Sequence, residues 1–146
     1  VSHFLKHGKR IAYGARAPSE GGYQSIPTLN VEGALLIGDS AGFLNVPKIK
    51  GTHTAMKSGM LAAERAIKSI QENEPASLTE FNRDIQDSWI AAELKAVRNI
   101  RPGFQKGLWL GLANAGLVSY ITRGKEPWTL RNHADNLALK PAAIST

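Results

Sequence analysis

The chain has 146 residues, with 18 Lys+Arg against 12 Asp+Glu, 7% aromatic residues and no cysteine. With 42% hydrophobic and 21% charged residues, it is a globular chain long enough for a core, neither disordered nor fibrous. The missing cysteine excludes a disulfide framework, a thiolate nucleophile, and any cysteine-ligated zinc or iron–sulfur centre built from these residues. Val1–Gly8 reads as the end of a helix. The opening Val-Ser-His-Phe has neither an initiator Met nor a signal-peptide pattern, as expected of a piece of a longer protein.

Lys9–Arg16 alternates as a strand, with Ile11, Tyr13 and Ala15 on one side. Pro18–Gly22 and Pro27–Gly33 are turn-rich loops around a short Tyr23–Ile26 piece. Ala34–Ile37 is an apolar run of the buried parallel-strand type, ended by Gly38-Asp39. Pro47 forbids a helix directly after that strand. From Thr52 or Thr54 a helix is predicted to about Asn73. Met56, Met60, Ala63, Ile67 and Ile70 form its apolar stripe, beside the small residues Ala55, Gly59, Ala62 and Ala66. Asn73-Glu-Pro-Ala is a break. Ser77-x-x-Glu80 is a capping box for a second helix, with Leu78, Phe81, Ile85, Trp89, Ala92, Ala96 and Ile100 as its stripe, ending before Pro102.

Gly107–Thr122 carries no charge. As a helix it would be about 24 Å long, short of the roughly 30 Å hydrocarbon core of a bilayer. Trp109 and Tyr120 lie near its ends, as interfacial aromatics do. Gly107, Gly111 and Ala115 make a small-residue face, which leaves Leu108, Leu110, Leu112, Leu117 and Ile121 for lipid or core. Length alone favours a buried core helix. The flanks favour a monotopic dip into one leaflet, because Lys95, Arg98, Arg101 and Lys106 precede it and Arg123, Lys125 and Arg131 follow. The charge is concentrated there. Residues 1–94 are neutral overall, and the whole +6 falls in 95–146. Nucleic-acid binding would interleave aromatics and cations on a polar face. Here cations bracket an apolar run, so the expected partner is an anionic lipid surface and not nucleic acid.

Gly38-Asp39-Ser40-Ala41-Gly42 after an apolar strand fits two chemistries. One is the G-x-S-x-G elbow of an esterase, with Ser40 as nucleophile. The other is the second flavin-contact segment of FAD-dependent oxidoreductases. There a Gly-Asp at a strand end accepts a ribityl hydroxyl, and small residues let the backbone approach the pyrophosphate. Against the elbow, Pro47 would fall in the second turn of the required helix, and no His-Gly-Gly run lies upstream. The formal partners, Asp84 or Asp87 with His133, carry no distinguishing mark. The pentapeptide alone is equally compatible with an ordinary strand-to-loop turn. Lys48-Ile-Lys-Gly-Thr-His-Thr54 then opens a helix with a glycine and two hydroxyls. A helix N-terminus aimed at a flavin would stabilise its anionic reduced ring. Thr52 or Thr54 is equally a plain cap, and His53 a local hydrogen-bonder.

Four blocks together resemble the electron transfer flavoprotein–ubiquinone oxidoreductase family. They are Tyr13-Gly-Ala-Arg-Ala with Glu20–Pro27; Leu36–Phe43 continuing as Asn45–Gly59; Val97–Pro102; and Arg123–Leu130. The resemblance implies an α/β fold: part of a Rossmann-like, glutathione-reductase-type FAD-binding fold, followed by a mostly helical membrane-associated segment. Residues 1–33 would end the quinone-side sheet region, 34–74 would hold the second FAD contact, and 75–146 would be helical, with the monotopic helix at 107–122. It implies electron transfer from reduced electron transfer flavoprotein to ubiquinone through FAD and, in the full-length family, a 4Fe–4S cluster. The location implied is the matrix face of the mitochondrial inner membrane or a bacterial cytoplasmic membrane.

By the same resemblance, Gly38 and Asp39, with Ser40, Ala41 and Gly42, would hold the ribityl–pyrophosphate region. Gly51 and Thr52 would face the isoalloxazine, and Asn45 to Lys50 would form the intervening loop. No general acid, general base or metal ligand is implied here. The family's G-x-G-x-x-G fingerprint and cluster cysteines are not among these residues, so this polypeptide alone is not expected to turn over quinone. A FixC-like or geranylgeranyl reductase-like FAD dehydrogenase, without the cluster, is the nearest alternative.

Overall fold

The computed structural model describes residues 6, 8, 9, 11–15, 17–73 and 75–133. The helix end expected over Val1–Gly8 lies largely outside them. Residues 11–15 form no strand, and Ile11 and Tyr13 are almost fully exposed. Alternation makes a strand only where a partner ladder exists, and none is present among the described residues.

Ala34–Ile37 is also corrected. Asn30–Val31 (β1) and Ala34–Leu35 (β2) pair antiparallel. Gly33, at φ 73°, supplies the left-handed residue that turns the chain back on itself. Leu36 N–H then donates to Leu29 O at 2.7 Å. The apolar run therefore satisfies its backbone locally, in a hairpin instead of a parallel sheet. Among the described residues this hairpin is the whole of the sheet structure, and the rest is predominantly helical.

Helix α1, Thr52–Glu72, matches its predicted bounds, and Asn73 closes it at φ 51°. Its inner face differs from the expected one. Thr54 and Ser58 are fully buried, whereas Met56, Met60, Ile67 and Ile70 are exposed. A short 3-10 helix (Pro75–Glu80) leads into α2, Phe81–Asp87; the Ser77 cap lies outside the described side chains. Arg65 of α1 ties this region down, donating to Asp84 Oδ1 at 2.6 Å and engaging Glu80.

The single long helix expected from Ser77 is broken at Ser88, whose backbone is extended. Its hydroxyl accepts from Ile90 N–H and starts α3, Trp89–Val97. The break resets the helical phase. Phe81 and Ile85 are buried before it, and Ile90, Ala91 and Leu94 after it, while Trp89 turns outward. These join Leu29, Ala41 and Phe43 in the core. Pro102 does not end a helix. It lies in the short α4, Ile100–Gly103, where its missing N–H is not needed.

The apolar segment forms α5, Leu108–Gly116, continuing as one π turn over Leu117–Ile121. It is held close to α4. A Cβ on Gly103 would come 2.2 Å from Asn114 Nδ2, and one on Gly111 would come 2.2 Å from Phe104 Cδ1. Asn114 Nδ2 donates to Asn99 O at 2.8 Å.

The segment after α5 is fastened by Arg98, which is 6% exposed. Its guanidinium donates to Lys95 O (2.6 Å), Gly124 O (3.1 Å), Trp128 O (3.0 Å) and Thr129 Oγ1 (3.0 Å), and to Glu126 O. Asn99 donates to Glu126 Oε1 (2.9 Å) and Trp128 O (2.9 Å), and accepts from Leu130 N–H (2.7 Å). Arg98→Met would strand a buried Glu126 carboxylate and several carbonyls. The expected loss is about 3–5 kcal/mol, measurable by urea denaturation followed through helical circular dichroism.

Candidate functional site

The glycine-rich pentapeptide forms a single 3-10 turn, Gly38–Ala41, closed by Gly42 at φ 80°. Gly38 lies at φ 63°, and a Cβ there would come 3.3 Å from the Ala55 Cβ. A side chain there would be strained by the backbone and tight against Ala55. Gly38 N–H donates to Ser58 Oγ at 3.0 Å, so the turn is fastened to the second turn of α1. Thr54 Oγ1 donates to Gly51 O at 2.8 Å and also to Phe43 O. The buried hydroxyls of α1 thus join the two segments that the sequence singled out. Ser40, Lys50 and Thr52 are exposed, Asp39 and Gly51 half-buried, and Gly38, Ala41, Gly42 and Asn45 buried.

Ser40 stands inside the 3-10 turn, not at the start of an α-helix, and forms no hydrogen bond with a histidine among the described residues. Asp84 is engaged by Arg65, and Asp87 lies 3.6 Å from Arg83. The hydrolase arrangement is not assembled.

Between the two segments, Asn45–Lys50 is closed by two backbone hydrogen bonds, Asn45 N–H to Lys50 O (2.9 Å) and Lys50 N–H to Asn45 O (3.3 Å). Pro47 lies in the 3-10 turn Val46–Lys48, which Asn45 caps by accepting from Lys48 N–H at 3.3 Å. Ile49 follows at φ 51° while 79% exposed. A left-handed conformation is unfavourable for a β-branched residue and persists only where its surroundings over-determine it.

Those surroundings converge on Glu93 of α3, a residue that no sequence pattern marked. Its Oε1 accepts from Asn45 Nδ2 at 2.6 Å and Lys48 Nζ at 3.1 Å. His53 Nε2 lies 3.1 Å from both carboxylate oxygens, and an ionised carboxylate only accepts, so this nitrogen donates. The imidazole stacks on Trp89, with centroids 5.6 Å apart and planes 6° from parallel. Burial pushes the Glu93 carboxyl up, but hydrogen bonds from Lys48, Asn45 and His53 outweigh it and hold it below its ordinary value. Glu126 is likewise lowered: burial raises it, and its own backbone N–H, Thr122, Asn99 and Arg98 more than offset that.

A concavity of about 730 Å³ lies away from these segments, between 18–25 and 101–105, lined by Glu20, Arg101, Phe104, Asn132 and His133 among others. Arg101 pairs there with Glu20 at 2.9 Å. The expected collar of cations is therefore smaller than the sequence suggests. Arg98 is interior and Arg101 paired, whereas Lys95, Lys106, Arg123, Lys125 and Arg131 are exposed. Inside that collar, Leu108, Trp109, Leu110, Leu112, Tyr120 and Ile121 are between 49% and 83% exposed. No helix among the described residues is long and apolar enough to cross a membrane.

No family model matches the chain. It is 52% identical over 151 aligned positions, covering 97% of its length, to the mitochondrial electron transfer flavoprotein–ubiquinone oxidoreductase of Rattus norvegicus. The Homo sapiens protein of that name is 50% identical over the same share, and the Arabidopsis thaliana one 49% identical over 90% of this chain. The likeness carried by the four sequence blocks thus extends along nearly the whole chain. The chain spans 24% of the rat and human proteins.

Because Glu93 and Glu126 both titrate below their unfolded values, their stabilisation is complete above the ordinary Glu range, about pH 4.3, and is lost as pH falls through the lowered values. Glu93→Gln is expected to be less stable than wild type near about pH 7 and to lose less stability on going to about pH 3. Urea titrations at the two pH values check both signs.

Proposed function

We propose that this chain is the part of an electron transfer flavoprotein–ubiquinone oxidoreductase that joins the second FAD contact to the membrane-facing helix. The observation that carries the reading is the seating of the Gly38–Gly42 turn on the first turns of α1. It brings the two segments expected to touch FAD, 38–42 and 51–52, onto one rigid edge. In the whole protein this edge would belong to the Rossmann-like, glutathione-reductase-type domain, with residues 34–74 as its contribution.

The residues present fit that cofactor. Gly38 leaves its backbone approachable at a positive φ, Asp39 follows on the same turn, and that turn packs on the first two turns of α1. In this reading Gly38 and Asp39 hold the ribityl–pyrophosphate region, with Ser40, Ala41 and Gly42 keeping the backbone approachable. Gly51 and Thr52 lie toward the ring, and Asn45 to Lys50 bound its edge. FAD, when bound, supplies the electron transfer. The residues of this chain orient it and place the positive end of a helix dipole near the site of developing charge. No proton transfer is assigned to any of them. Electrons would enter from electron transfer flavoprotein and leave to ubiquinone. The 4Fe–4S cluster would be held outside these residues, which contain no cysteine and, as far as described, no metal-binding group.

α5 would lie in one leaflet of the mitochondrial inner membrane, on its matrix face. Its helical run, Leu108–Ile121, is about 20 Å long at 1.5 Å per residue, too short to span. Its exposed apolar side chains and bracketing cations suit an interfacial position.

In the full-length protein, Asp39→Ala is expected to weaken retained FAD, read as loss of visible flavin absorbance after gel filtration with the fold intact by circular dichroism. Flavin retained at wild-type level would remove the assignment of this turn. Flotation with anionic vesicles tests the membrane contact. Replacing Lys106, Arg123 and Lys125 with Gln should weaken binding by about 3 kcal/mol, roughly 100-fold, at about 1 kcal/mol per cation. Unchanged flotation would detach these cations from the membrane.

A further inference from the structure

We infer that Glu93 is a positioning residue for the flavin-facing edge, holding residues 45–53 in place, and that its pairing with Lys48 tunes the flavin's reduction potential. The inference rests on the FAD reading above.

The geometry is specific. One carboxylate reaches three separate points of a nine-residue stretch: Asn45 at its base, Lys48 on its 3-10 turn, and His53 in the first turn of α1. Gly51 and Thr52, the proposed ring contacts, lie between two of those points. They are thus bracketed in sequence by residues that Glu93 holds. The stretch needs such a hold, because Ile49 occupies a left-handed conformation without burial to compensate for it. Trp89, one turn earlier on α3, fixes the face of His53 by stacking. Asn45 is fully buried, and its side chain is committed to Glu93 and to Lys48 N–H. Its part in cofactor binding is therefore to shape the loop, not to contact the ring.

The same cluster carries a charge balance. Glu93 faces Lys48 from the loop and His53 from α1, and the Glu93 and Lys48 charges offset each other beside the N-terminus of α1. Glu93→Gln would leave the Lys48 cation uncompensated, and Lys48→Met would leave the Glu93 anion uncompensated. A site that accumulates negative charge on reduction responds oppositely to these two changes.

The test is spectroelectrochemistry of the full-length, FAD-loaded protein. Glu93→Gln should raise the flavin reduction potential, Lys48→Met should lower it, and the double variant should return toward wild type. Glu72→Gln, an exposed carboxylate at the far end of α1, should leave it unchanged. A merely structural role would move both single variants the same way or simply release flavin. Equal potentials in wild type, Glu93→Gln and Lys48→Met, or shifts of the same sign, would overturn the inference while leaving the FAD reading standing. A wild-type protein that binds no FAD would overturn both together. Should Glu93→Gln fail to fold, the exposed Lys48→Met decides: a lowered potential supports the inference, and an unchanged or raised one overturns it.

Discussion

The helical body depends on one buried cation. Arg98 follows α3 and reaches across to the chain that returns from α5, satisfying carbonyls at 95, 124, 126 and 128 and the Thr129 hydroxyl. Burying a guanidinium is costly unless its donors are all met and an anion is near. Here Glu126 lies 3.6 Å away and is itself buried. Asn99 next door binds the same return segment, so α5 is anchored along its length by Gly111 against Phe104 and Asn114 against Asn99, and beyond its C-terminal end by the segment over Arg98. A cation on a flexible surface would not fix this geometry, whereas a fork of planar donors facing rigid carbonyls does.

α3 links the two ends of the molecule. Glu93 on its middle turn holds the loop that precedes α1, and Arg98 just beyond its end holds the strap that follows α5. The proposed cofactor edge and the proposed membrane helix are therefore fastened to the middle and to the C-terminal end of one nine-residue helix. A change in either charged anchor would be felt first locally. The intervening turn carries Leu94, which is 1% exposed and sits in the shared core.

Much of this was legible in the sequence, though unevenly. The bounds of α1 followed from a glycine before a helix-forming run and an Asn after it. Which face of α1 is inward did not follow. Periodicity identifies an apolar stripe, but the neighbouring turn demanded hydroxyls, so Thr54 and Ser58 were buried and the methionines were left outside. The phase of α3 was missed because Ser88, an ordinary helix residue by composition, broke the helix with its own side chain and shifted the buried set by one position. Glu93 and Arg98 were invisible for a related reason. A charged residue on a helix is by default solvated, and only the three-dimensional arrival of partners from residues 45–53 and 124–129 engages Glu93 and buries Arg98. Two of the blocks that carried the family resemblance, 97–102 and 123–130, prove to be the halves of the Arg98 clamp. Their likeness therefore reports architecture as much as cofactor chemistry.

The two exposed apolar faces look alike in hydrophobicity and differ in their rims. Along α1, Met56, Met60, Ile67 and Ile70 are interspersed with Lys57, Glu64, Lys68 and Glu72, charges of both signs. A mixed rim gains nothing net from an anionic leaflet. Around α5, the exposed charges at Lys95, Lys106, Arg123, Lys125 and Arg131 are all positive, while Glu126 is withdrawn into the clamp and Glu20 is occupied by Arg101. The Arg98 cluster thus does more than anchor the strap. By drawing the nearest described carboxylate inward, it leaves the exposed, unpaired charges around α5 cationic among the described residues. It also withdraws Arg98 itself from that surface, so the charge this face would present to lipid is set by which residues the fold hides as much as by composition. On this ground the membrane reading attaches to α5 and not to α1, although α1 is the longer helix.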